Sequence, residues 1–164
     1  MASSSANTTT NQMAIVASEI ATLAVVVNDA FKITCEMTSV MKIFASFTDA
    51  GTAIEHDYRF VNETNNNVAW LNETVKCWSQ EIKVVASKTQ DDELIQKKQQ
   101  IGTTSLLKIC GAYAEEAKGY ANLAKATVTR AYRTLLAGNV ATHESIQAAM
   151  KKAGMENLLV FCVA

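Results

Sequence analysis

From Asp91 to Ala137 the chain reads DDELIQKKQQIGTTSLLKICGAYAEEAKGYANLAKATVTRAYRTLLA, a proline-free stretch that opens on acids and closes on bases. Asp91, Asp92 and Glu93 stand where a helix N-terminus favours negative charge, and Thr89 or Asp91 can cap its free N–H groups. Lys118, Lys125, Arg130 and Arg133 are its only charges after Glu116. They lie toward the end where the helix dipole favours cations. Gly138 follows as a left-handed stop residue. Unbroken, this helix is about 70 Å long at about 1.5 Å per residue, which predicts an elongated molecule.

The rest of the chain agrees with long helices. Its 164 residues contain no proline, and 49% of them are apolar against only 7% aromatic. About 5% proline is usual, so its absence leaves little room for a fold with many turns. A few long helices joined by short connections fit. The length suits a single domain with a sizeable core. The sequence therefore predicts an all-α fold: an elongated antiparallel bundle of three to four long helices with coiled-coil-like seams. Residues 1–10, rich in Ser, Thr and Asn, read as a disordered N-terminal arm, and 11–164 as a single helical-bundle domain.

The first helix is expected from about Asn11 to Phe47. Its run Ile20–Val27 is apolar except for Thr22, but Glu19 and Asp29 bracket it. It is far shorter than the roughly 20 residues that cross a bilayer. Thr48–Thr52 with Gly51 reads as a turn, with Asp49 or Thr52 capping the next helix. That helix is expected from about Ala53 to Ser87. Ile54, Tyr58, Val61, Asn65 and Val68 follow a 4-3-4-3 rhythm, and so do Leu71, Val75, Trp78, Ile82 and Val85. The two runs join by a step of three, a phase slip that overwinds a helix locally. Asn65-Asn66-Asn67 beside it could break the helix instead, since asparagine competes for backbone hydrogen bonds. The third helix carries its own seam, Leu106, Cys110, Tyr113, Ala117, Tyr120 and Ala124, with a possible break at Gly102–Ser105. Gly138-Asn139 makes the last turn, and Thr142 can cap a fourth helix that Gly154 ends or kinks. The tail Leu158–Ala164 is seven apolar residues, which a helix would spread around its circumference. It calls for neighbours on several sides.

Several function classes lack their residues. The four cysteines, Cys35, Cys77, Cys110 and Cys162, are scattered, so no paired zinc or redox motif exists. They are expected as buried, reduced core residues. His56 and His143 lack the Glu-x-x-His spacing of di-iron bundles and read as surface groups near helix ends. No HExxH, GxSxG, Walker A or GxGxxG string occurs. No catalytic, cofactor-binding or metal-binding residue is expected, and hence no enzyme. The net charge of −1 supplies no field to steer nucleic acid, which is an unexpected partner. The N-terminus has no basic region of a secretory signal, which leans the expected localisation toward the cytoplasm.

What remains is association. The expected function is that of a non-enzymatic helical-bundle protein, a homo-oligomer or one that binds a protein partner, in a structural or scaffold role. The alternative is a membrane-active bundle, pore-forming or lipid-surface binding, that exposes residues 20–27 or 158–164. The expected interaction residues are Trp70, which lies off the seam, and Leu158, Leu159, Val160 and Phe161 of the tail.

Overall fold

In a computed structural model, the backbone is described for residues 2–87 and 93–163, and side chains for 12–87 and 97–163. The fold is all-α: 89% of the chain is helical, and no strand occurs among the described residues. Three long helices, α1 (Ala2–Ala45), α2 (Ala53–Ser87) and α3 (Glu93–Ala137), are followed by α4 (His143–Lys152) and a single 3-10 turn (Glu156–Leu158). A last short helix, α5 (Leu159–Cys162), closes the chain. α2 has the bounds expected of it. α1 is helical from Ala2, ahead of the expected start at Asn11. The caps expected at Thr89 and Asp91, with the acids Asp91 and Asp92, lie outside the described residues.

Neither suspected break occurs, since α2 passes through Asn65–Asn67 and α3 through Gly102–Ser105. Asn65 is held by tertiary structure: its Oδ1 accepts from the buried Thr34 hydroxyl of α1 at 2.8 Å. A cross-helix hydrogen bond of this kind, to a buried hydroxyl, offsets the weak helix preference of asparagine.

The packing divides into two compact units. The first comprises Met1–Asp29 and Trp70–Ala117; the second comprises Ala30–Ala69 and Lys118–Ala164. All three long helices contribute to both. α1 and α2 run antiparallel, as Thr34 against Asn65 shows in the second unit. In the first, Ala14 and Ser18 share a groove with Lys83 and Ser87. α3 is antiparallel to α2: Asp57 meets Arg130 at 3.0 Å in the second unit, and the ring of Tyr113 lies against Trp70 and Trp78 in the first.

The second unit has the large core. Met37, Met41 and Phe44 of α1, Ile54 and Val61 of α2, and Val128 and Leu135 of α3 are buried together with Ile146 and Met150 of α4. The first unit has the lighter core. Its buried residues are mostly small or medium, such as Ala17, Ile20 and Val27, then Leu71 and Val75, then Cys110 and Ala114.

The expected α2 seam is buried at Ile54, Val61, Val68, Leu71, Val75 and Ile82, but Tyr58, Asn65, Trp78 and Val85 are half-buried, and Thr64 and Ser79 are buried in place of Asn65 and Trp78. The α3 seam is partly corrected. Cys110, Ala117 and Ala124 are buried as expected, but the alternating row is Ala114, Ala121 and Val128 instead of Tyr113 and Tyr120. An alanine-lined axis lets helices approach closely and leaves no room there for a phenol ring, so the tyrosines flank it, half-buried.

The turns are specified locally. Thr52 caps α2, its hydroxyl accepting from the Glu55 N–H at 3.4 Å, and the Glu55 carboxylate accepts from the Gly51 N–H. Gly51 takes a φ of +84°, open to glycine without strain. Gly138 is not the left-handed stop of α3. Asn139 is, at a φ of 52°. The Val140 N–H reaches back to the Leu135 carbonyl at 3.1 Å in a Schellman-type closure. Asparagine is the residue other than glycine that tolerates this conformation best. Thr142 caps α4 through a reciprocal box with Ser145, at 3.1 and 2.9 Å.

Candidate interaction surface

Trp70 ends one row of α2. Glu73, Cys77, Glu81 and Val84 follow it by three, seven, eleven and fourteen residues. At 3.6 residues per turn they all fall within about 60° of it. This row sits beside the seam and faces the α3 side of the first unit. Trp70 is 59% exposed and Val84 55%. Tyr113 of α3 carries the two tryptophans: Trp70 meets its ring edge-on at 5.7 Å between centroids, and Trp78 stacks on it at 5.8 Å with 15° between planes. Such aromatic pairs contribute about 0.5–1.5 kcal/mol beyond the area they bury. Trp78, expected in the core, is half-buried for this reason. One turn before Tyr113, Ile109 is also exposed.

Exposed apolar side chains occurring singly are ordinary. A surface that joins two tryptophans, a tyrosine and two aliphatic residues on one flank of the first unit has the aromatic-rich composition of an interface centre. The row also explains Cys77, which is exposed and corrects the expectation of four buried cysteines. It lies seven residues from Trp70, on the outward side of α2.

The other flank of α2 is chemically opposite. Lys83 lines a shallow groove with Ala14, Ala17, Ser18 and Ala21 of α1. Lys76 and Asn72 line its neighbour with Ala24, Val25 and Asn28. Both grooves belong to the first unit.

The predicted tail residues lie in the second unit and behave differently from one another. Leu158 and Cys162 are buried in the core, and Leu159 and Phe161 pack against it. The Thr129 hydroxyl donates to the Phe161 carbonyl at 2.9 Å. Val160 points outward, 62% exposed. This is the spread around a helix expected of an apolar run, with the bundle supplying most of the neighbours. Ala164 lies outside the described residues.

The same end of the second unit gathers reactive side chains. The Tyr132 hydroxyl is hydrogen-bonded to Nδ1 of His143, which is therefore a half-buried, partnered histidine and not a free surface group. His56 is exposed as expected. Cys162 is fully buried, and that burial pushes its thiol up to about 11. The thiolate is the nucleophile in cysteine chemistry, so Cys162 stays inert at neutral pH. Burial raises the Tyr132 hydroxyl as well, with Cys162 and Glu144 adding to the effect. Among the described residues no group of three His, Cys, Asp or Glu side chains could hold a metal ion.

No family model, curated protein or solved structure matches this chain.

The exposed row was only partly legible. Trp70 stood out because it falls off the seam. Val84, Ile109 and Tyr113 did not, although reading the outer rows at seven-residue steps from Trp70 would have reached Cys77 and Val84.

Proposed function

We propose that this protein acts by helix–helix association, with itself or with a protein partner, in a structural or scaffold role and without a catalytic step. The observation that carries the reading is the Trp70–Tyr113–Trp78 cluster, continued by Val84 and Ile109 on the surface of the first unit. Rigid aromatic side chains bring large contact area at little entropic cost, which is why they dominate interface energetics. Sizing chromatography with light scattering tests it. The expected result is a mass above one chain that rises with concentration, or capture of a defined protein partner that Trp70→Ala abolishes. A chain that stays monomeric and binds nothing through Trp70 overturns the reading.

A membrane-active bundle is the second reading, and one observation favours it. Within α1, the segment Gln12–Ala45 is long and apolar enough to cross a membrane by length and composition. Its richest window has a mean hydropathy of 1.6 and only 22% of its residues buried. Dye release from lipid vesicles at neutral pH decides between the two. Leakage that Val25→Glu abolishes favours the membrane, and intact vesicles favour protein association.

A further inference from the structure

The two flanks of α2 in the first unit differ in shape as well as charge. Toward α3 the flank projects the large side chains Trp70 and Val84, with the acids Glu73 and Glu81 among them. Toward α1 it borders a trough walled by alanine and serine, and there the lysines Lys76 and Lys83 stand. The lysines lie about 120–140° around the helix from Trp70 at 3.6 residues per turn. The acids are eight residues apart and the lysines seven. At about 1.5 Å per residue both spacings are roughly 10–12 Å, so the pairs match in pitch.

We infer that the partner is a second copy of this chain. The Trp70 ridge of one molecule seats in the α1–α2 trough of the next, and Glu73 and Glu81 pair with the neighbour's Lys76 and Lys83. This rests on the association reading above and names the surface and the occupant. Alanine walls accept a bulky ridge in the way that small residues let helices approach closely. A symmetric contact is disfavoured on both flanks. Ridge on ridge sets Glu73 and Glu81 against acids, and trough on trough sets lysine against lysine; like charges facing across an interface reject that pairing. The contact therefore joins unlike surfaces. A joined pair keeps one ridge free on one copy and one trough free on the other, and the product is a ring if the rotation closes and a filament if it does not.

Charge reversal tests the geometry in the full chain, with mass read by light scattering and helix content by circular dichroism. Glu73→Lys with Glu81→Lys makes both flanks basic, and Lys76→Glu with Lys83→Glu makes both acidic. Each double variant alone is expected at the mass of one chain, with unchanged helix content. Mixed in equal amounts, they are expected to regain the assembly, since each ridge again meets a trough of opposite charge. An uncharged pair repeats the test: Trp70→Ala removes the ridge and Ala21→Leu fills the trough. Each is expected to be monomeric, and their mixture to stop at two chains. If the unaltered protein assembles but either charge-reversed variant still does, or mixing restores nothing, the assignment of surfaces is wrong while association itself stands. If the unaltered protein has the mass of one chain at every concentration, self-association and this inference fall together.

Discussion

Leu158 and Val160 give the sharpest test of how the tail is held. They are two residues apart in the same apolar run, yet Leu158 lies in the second unit's core and Val160 faces solvent. Leu158→Ala removes three carbons from the core. At about 0.8 kcal/mol per buried methylene the lost transfer energy is about 2.4 kcal/mol. The cavity left in that core adds to it, and buried leucines cost about 2–5 kcal/mol in such replacements. Leu158 lies where a single 3-10 turn meets a four-residue helix, and these relax more easily than the middle of a long helix, so about 3 kcal/mol is expected. For a chain of this size that is a fall of roughly 6–12 °C in Tm, at about 2–4 °C per kcal/mol. Val160→Ala, at an exposed site, should stay within about 0.5 kcal/mol. Urea titration followed by circular dichroism measures both. Equal losses for the two variants, or a loss below about 1 kcal/mol for Leu158→Ala, would refute the packing of the tail.

Thr142→Ala removes the hydroxyl that caps α4 and should cost about 1 kcal/mol in the same urea assay, with Thr142→Ser retaining most of it. Thiol labelling in the native state should modify Cys77 rapidly and leave Cys110 and Cys162 protected until urea exposes them; prompt labelling of Cys162 would count against its burial. The Cys162 thiol also predicts an alkaline loss of stability. Its folded value of about 11 lies above the ordinary value, so the unfolded chain releases that proton first. Its contribution is then intact below the ordinary thiol range of about 8.5 and declines as pH rises from there toward 11. Cys162→Ala should flatten that decline, and an unchanged pH profile would argue against it. Asn65→Ala removes the cross-helix acceptor of the buried Thr34 hydroxyl, which keeps the Phe31 carbonyl at 3.0 Å, and should cost about 0.5–1.5 kcal/mol, whereas Asn66→Ala at an exposed position should be near neutral.

Helix bounds were legible where the signals were local. Ala53 and Ser87 bracket α2 as its turn residues suggested, and Thr142 caps α4. The α3 axis was less legible, because its four-three rhythm can be read through Tyr113 and Tyr120 or through Ala114 and Ala121. Hydrophobicity alone favours the tyrosines. The space available in an alanine-lined seam decides for the alanines, and that space depends on helices distant in sequence. The same holds for Asn139, which takes the left-handed stop that Gly138 was expected to supply. The choice of occupant for the Trp70 ridge was beyond the sequence for a related reason: its acids and the trough's lysines interleave along α2 and separate only when wound onto a helix.

The burial of α2 removes the phase slip expected between Val68 and Leu71. Its buried residues run Val61, Thr64, Val68, Leu71, Val75, Ser79 and Ile82, in steps of three, four, three, four, four and three. The expected slip comes from reading the seam through Asn65, three residues before Val68. Thr64, four before it, is the residue that is buried, so the alternation passes through Val68 and Leu71 without interruption. The irregularity is instead the doubled step of four from Leu71 to Ser79, and it lies within the first unit. A doubled step of four unwinds the stripe locally, where a doubled step of three would overwind it. It puts Ser79 on the buried row and turns Trp78 off it, and Trp78 is the ring that stacks on Tyr113.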